Sequence, residues 1–200
     1  MVPFWQLQLY LSNVLDQTDF YADVYEAIRT EPNLPGAGEQ QLEFVVTCSR
    51  IAQLDLTDFF ERWGFLRPVD IEMDDYGKGK MTITQAQVDA TRERVRNLGY
   101  SKPQDRFEYI CDNNVEVYRS HASQATPGTA THQNVTVNKV VKAKLTMKNW
   151  KNAAGYEVYD GNGGLIFATC ESSFTLKTAW SDSFKVYAVA PSGAKTEVTF

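Results

Sequence analysis

Ser120-His121-Ala122-Ser123-Gln124-Ala125-Thr126-Pro127-Gly128-Thr129-Ala130-Thr131-His132 contains no large apolar side chain, and the hydrophobic period changes across it. Small and polar residues around a Pro-Gly pair read as a linker. The expected organisation is therefore residues 1–120, a linker over 121–133, and residues 134–200. Before the stretch apolar residues recur at helical spacing, and after it they alternate. The expected fold class is α+β and multidomain, an N-terminal α-helical bundle followed by a small antiparallel β-sandwich.

On the C-terminal side, Val135 and Val137, then Ala143, Leu145 and Met147, alternate with Thr, Asn and Lys, which is strand periodicity. Asp160-Gly161-Asn162-Gly163-Gly164 between Tyr156-Glu157-Val158-Tyr159 and Leu165-Ile166-Phe167 signals a hairpin. Residues 183–189 and 197–200 supply further strands around a Pro191-Ser192-Gly193 turn, and short strands in this number suit a sandwich.

On the N-terminal side, Leu56, Phe59, Phe60 and Trp63 fall at i, i+3, i+4 and i+7, with Asp55 as the expected N-cap and Gly64 as the stop. Thr84 and Gln87 make a capping box for a helix that buries Val88, Val95 and Leu98 and ends at Gly99. Arg92, Arg94 and Arg96 sit late in it, where the dipole favours cations. Two more helices are expected near 19–30 and 39–53, separated by the loop Pro32-Asn33-Leu34-Pro35-Gly36. Arg67 to Lys80 reads as an irregular crossing segment packed through Val69, Ile71 and Met73. The opening Val2-Pro3-Phe4-Trp5-Gln6-Leu7-Gln8-Leu9-Tyr10-Leu11 is apolar on several sides, and a helix of that kind needs cover on more than one face. The chain is expected to begin inside a larger parent.

Composition excludes several classes. With 43% hydrophobic and 22% charged residues the chain suits one or two globular domains. Its net charge of −5 conceals a weakly basic C-terminal third, too scattered for the electrostatic footprint of a nucleic-acid binder. There is no basic-then-apolar leader and no run of about 18 apolar residues that would span a membrane. Cys48, Cys111 and Cys170 are odd in number and lack CxxC spacing, so they read as inert buried thiols.

Candidate chemistry is sparse. A zinc hydrolase needs three protein ligands, and the chain has only His121 and His132 with no HExxH; both read as solvated linker histidines, which also removes a nucleophile–histidine triad. Asp70, Glu72, Asp74 and Asp75 miss the glycine and the final glutamate of a calcium loop. Gly77-Lys78-Gly79-Lys80 lacks the first glycine of a phosphate loop. Asn134-Val135-Thr136 is a formal glycosylation sequon. Trp5, Tyr10, Phe20, Tyr21, Tyr25 and Trp63 could line a glycan or peptide groove or fill a core; Trp5, Tyr10 and Trp63 are the substrate-contact candidates. Trp150, Tyr156, Tyr159 and Trp180 pose the same alternative in the β-rich part.

Val2-Pro3-Phe4-Trp5-Gln6-Leu7-Gln8-Leu9-Tyr10, Asp55-Leu56-Thr57-Asp58-Phe59-Phe60-Glu61-Arg62-Trp63-Gly64-Phe65, Asp74-Asp75-Tyr76-Gly77 and Thr82-Ile83-Thr84 resemble the C-terminal helical part of peptidase family M60, the enhancin-like zinc metallopeptidases, over residues 2–118. Residues 134–200 resemble a fibronectin type III or immunoglobulin-like domain. The resemblance implies a secreted or bacterial cell-surface parent that cleaves mucin-like glycoproteins with an HExxH helix and a downstream glutamate, both upstream of the matched region. It places zinc in the parent and no catalytic or metal residue in this chain, which by itself is expected to be inactive. The implied partners are the missing upstream catalytic subdomain, whose cleft this part closes, and a glycoprotein substrate. The alternatives are a non-enzymatic glycan- or protein-binding module and a purely structural spacer.

Overall fold

A computed structural model describes residues 2–74 and 78–200. The chain is mixed α/β, with six α-helices and three antiparallel sheets among the described residues, and it divides into two compact units, Met1–Pro103 and Gln104–Phe200.

In the first unit α1 (Val2–Leu7) runs into a π-helical segment, Gln8–Val14. Leu7, Leu9, Tyr10 and Leu11 are buried while Phe4 and Trp5 stay exposed, so the unit itself covers much of this apolar segment. The helices α2 (Phe20–Thr30), α3 (Ala37–Ala52), α4 (Thr57–Arg62) and α5 (Gln85–Asn97) follow. α3 buries Leu42, Val45, Val46, Cys48 and Ala52. Asp55 does not cap α4 as the N-cap residue, a position held by Leu56; its Oδ1 instead accepts from the N–H and hydroxyl of Thr57. Gly64 and Gly99 end their helices at φ of +78° and +74°, a region that favours glycine. α5 opens on the expected box, Gln87 N–H donating to Thr84 Oγ1 and Thr84 N–H to Gln87 Oε1.

The expected irregular crossing is a hairpin. β1 (Val69–Asp74) pairs antiparallel with β2 (Lys78–Ile83). Alternation puts Asp70, Glu72 and Asp74 on one face opposite Thr82, Lys80 and Lys78, and Asp70 bonds both Lys80 and Thr82. These acids are thus matched across the strands. Asp75, Tyr76 and Gly77, part of the calcium-loop, phosphate-loop and family motifs, lie outside the described residues.

The hairpin approaches α3 at Gly38, where a Cβ would stand 2.2 Å from Thr82 O and 2.8 Å from Ile83 Cγ1. The obstacle is backbone, which cannot turn aside as a side chain can. Gly38→Ala is therefore expected to lower first-unit stability by about 1–3 kcal/mol despite alanine's better helix propensity, measured as a fall in the urea midpoint.

In the second unit α6 (Val115–Arg119) precedes two sheets, ordered β3 (Thr129–Val137), β4 (Val140–Lys148), β7 (Ser173–Thr175) and β6 (Leu165–Thr169), β5 (Gly155–Tyr159), β8 (Lys185–Val189), β9 (Lys195–Glu197). Ala143, Leu145 and Met147 of β4 and Phe174 of β7 share a core with Tyr156 and Val158 of β5 and Val186 and Ala188 of β8. The β5–β6 hairpin forms where expected, with one register shift at Val158/Tyr159.

Residues 104–133 pack within this second unit. Arg106 N–H donates to Pro191 O, Tyr118 OH to Arg106 O, and Asn114 Nδ2 to both Tyr109 O and Ala154 O. The stretch expected as a linker is held too: Thr126 bridges to Lys151, Ala125 is buried, and Thr129–His132 already belong to β3. Small residues serve close approach here, because a Cβ on Gly128 would lie 2.1 Å from Lys148 O.

Candidate functional site

β5 turns Tyr156 and Val158 toward the core and, by strand alternation, Gly155, Glu157 and Tyr159 to the opposite face. Segment 104–114 covers one end of that face: Tyr109 lies so close to Gly155 that a Cβ there would meet its Cγ at 2.8 Å. Glu157 is consequently 1% exposed. Its carboxylate accepts from the Tyr109 and Tyr159 hydroxyls, pairs with Lys195 Nζ at 2.6 Å, and has Arg106 Nη2 at 3.6 Å. Burial alone would raise this carboxyl, but the bonds from Lys195, Tyr109 and Tyr159 outweigh it and hold it below the usual range. Burial, then the bond to Glu157, pushes the Tyr109 phenol well above its ordinary value.

Beyond the cover, the same face opens into a groove of about 660 Å³ lined by Tyr159, Tyr187, Lys185, Lys195, Ser183 and the β5–β6 turn. The turn is set by Asp160, whose Oδ1 accepts from the N–H groups of Asn162 and Gly164. Tyr159 and Tyr187 meet edge to face at 5.7 Å, and Lys195 Nζ stands over the Tyr159 ring. Buried Glu157 therefore fixes one lysine and one tyrosine at the floor of a polar, aromatic groove. The sequence marks Glu157 only as an outward position between two tyrosines; segment 104–114, which buries it, arrives from nearly fifty residues upstream.

The first-unit aromatic candidates separate. Tyr10 is fully buried and is a core residue, whereas Trp5 is 51% and Trp63 37% exposed. Phe4 next to Trp5 meets Phe44 and Phe65 edge to face, so α1 presents Trp5 from a packed aromatic base. A cavity of about 230 Å³ lies among Ile28, Leu34, Phe44, Glu31 and Glu43, with Glu31 bound to Arg50 and Glu43 to Arg94. In the second unit Tyr156 is buried, Trp150 meets it edge to face, and Trp180 stacks on His132 at 4.1 Å.

Neither histidine lies on a free tether, although His132, in β3, is exposed as the sequence suggested. His121 Nδ1 lies 2.5 Å from Asp105 Oδ2, and His132 sits between Trp180 and Phe200. Among the described residues no group of three or more His, Cys, Asp or Glu could hold a metal ion, so these side chains do not fit a zinc site. No helix among them is long and apolar enough to cross a membrane.

Residues 1–64 match the family model for peptidase M60, enhancin and enhancin-like. No curated protein matches. The chain is similar to a metallopeptidase from Bacteroides thetaiotaomicron, at TM-score 0.67 and 23% identity over 98% of this chain and 36% of that one. A metallopeptidase in complex with Tn antigen gives TM-score 0.65 and 23% identity over 98% and 39%. The M60 catalytic domain of Clostridium perfringens ZmpC, in complex with the sialyl T antigen, gives 0.56 and 20% over 99% and 35%. The chain thus spans little more than a third of the length of these structures. The family-model match thus lies in the N-terminal third, and nearly the whole chain follows the fold of a segment of these solved metallopeptidases.

Proposed function

We propose that this chain is the C-terminal part of a secreted or bacterial cell-surface zinc metallopeptidase that acts on mucin-like glycoproteins. The single observation that carries the reading is the M60 match over residues 1–64 in a chain whose fold corresponds to about a third of larger metallopeptidases. In this reading the first unit is a helical bundle closing one side of the substrate cleft. The second unit is a fibronectin type III or immunoglobulin-like sandwich, supported by two antiparallel sheets sharing one core. The HExxH motif is absent from the sequence, so hydrolysis belongs to the longer protein, with zinc held by residues outside this chain.

Exposed Trp5 and Trp63 are the groups proposed to contact substrate, a use consistent with relatives solved with Tn and sialyl T antigens. Replacing both by alanine in the longer protein is expected to raise KM for an O-glycosylated peptide roughly tenfold, with kcat little changed, since exposed aromatic anchors contribute mainly binding. Unchanged KM would remove both residues from the substrate surface.

A second reading, a glycan- or protein-binding module, is favoured by the Tyr159–Tyr187–Lys195 groove. It expects saturable glycan binding by the isolated chain, abolished by Tyr187→Ala, without hydrolysis. A flat response across a glycan array would count against it.

A further inference from the structure

Segment 104–114 and the end of β6 converge on Gly155. A Cβ built there would meet Tyr109 Cγ at 2.8 Å and Thr169 O at 2.9 Å, and Thr169 pairs with neighbouring Tyr156 in the ladder. Asn114 locks the first segment in place: it donates to Ala154 O and Tyr109 O and accepts from the Cys111 N–H. Cys111, two residues after Tyr109, and Cys170, next to Thr169, are thereby brought to the same place, and Cys111 contributes to the raised Cys170 thiol. Both are half-buried and reduced, whereas Cys48 is wholly buried on α3. The expectation of three inert buried thiols holds only for Cys48.

We propose that Cys111 and Cys170 are a disulfide-forming pair, oxidised by a low-molecular-weight disulfide to staple segment 104–114 to the edge strand β6. One cysteine thiolate attacks the oxidant's S–S bond, forming a mixed disulfide and expelling one oxidant thiolate. The second cysteine thiolate then attacks the protein sulfur of that adduct, forming the Cys111–Cys170 bond and releasing the second oxidant thiolate. The two cysteine protons end on the two released thiols, and the oxidant takes both electrons. Burial, followed by its bond to Cys111, pushes the Cys170 thiol up to about 12, so exchange accelerates as pH rises and thiolate accumulates.

The bond would close a loop of about 60 residues and restrict the unfolded chain accordingly, which raises the melting temperature of the second unit by on the order of 10 °C. The test incubates the 200-residue chain with oxidised glutathione at pH 8.5, with a dithiothreitol-reduced sample beside it. Expected are a mass loss of about 2 Da, one titratable thiol remaining of the three, a proteolytic peptide linking Cys111 to Cys170, and a higher melting temperature that dithiothreitol reverses. Cys111→Ser and Cys170→Ser should each abolish the gain while melting like the reduced parent. Three thiols still titrating, a persistent glutathione adduct on either residue, or a linked product with no thermal gain would overturn the proposal. Peptide mapping on the unmutated chain detects the Cys111–Cys170 bond directly, even where a serine variant folds poorly.

Discussion

Glu157→Ala is expected to destabilise the second unit by about 3–5 kcal/mol, because removing one member of a buried charge cluster leaves the others unpaired. Glu157 is 1% exposed and serves two tyrosine hydroxyls and Lys195, with Arg106 close by. Alanine would leave the Tyr109 hydroxyl and two cations in a site shaped to neutralise them. Glu157→Gln keeps an acceptor and loses the charge, so its expected cost is smaller, about 1–3 kcal/mol. The check is urea unfolding of both variants, read through a second-unit tryptophan; an alanine variant within about 0.5 kcal/mol of the parent would show that the network contributes nothing net. The same cluster sets an acid limit. The folded carboxyl lies below its usual value, so its contribution is complete above the unfolded pKa of about 4.3 and disappears as pH falls through the lower, folded one. Melting temperature should therefore drop below about pH 4, and Glu157→Gln should flatten that part of the profile.

In the first unit the largest expected effect follows from Phe60→Ala. Phe60 is fully buried and meets Phe44, Phe59 and Phe65 at 6.0, 5.4 and 5.2 Å. Phe65 and Phe44 in turn hold Phe4 beneath exposed Trp5. The substitution removes a ring from a close-packed cluster and leaves a cavity, at a cost of about 3–5 kcal/mol. Phe60→Leu fills much of that space and should recover more than half. Chemical unfolding with first- and second-unit probes should place the loss in residues 1–103, and a loss shared equally by both units would contradict this assignment.

Elements set by local chemistry were legible in the sequence. Thr84 and Gln87 form their box, Gly64 and Gly99 take positive φ, and Asp160 organises the β5–β6 turn, all through contacts within a few residues. The β1–β2 hairpin was less legible because Pro68 and the glycines of 77–80 mask the alternation Val69-Asp70-Ile71-Glu72-Met73-Asp74. Residues 121–133 look like a tether by composition, yet small side chains also suit backbone packing, as Gly128 against Lys148 illustrates. The Glu157 cluster was not legible at all. Tyr159 lies two residues along the same strand, but Tyr109 and Lys195 come from distant parts of the chain, and no spacing rule joins them. Among the aromatic candidates, periodicity named Trp5, Tyr10 and Trp63 alike, and only burial separates the core residue Tyr10 from the two exposed indoles.

The most direct test of the central claim compares the 200-residue chain with the longer protein that contains it, each supplied with zinc and an O-glycosylated mucin, and follows new N-termini by mass spectrometry. Chelator-sensitive cleavage is expected from the longer protein and none from the 200-residue chain. Zinc-dependent cleavage by the 200-residue chain alone, or a longer protein that binds the mucin without cutting it, would contradict the assignment of this chain to the non-catalytic part of a metallopeptidase.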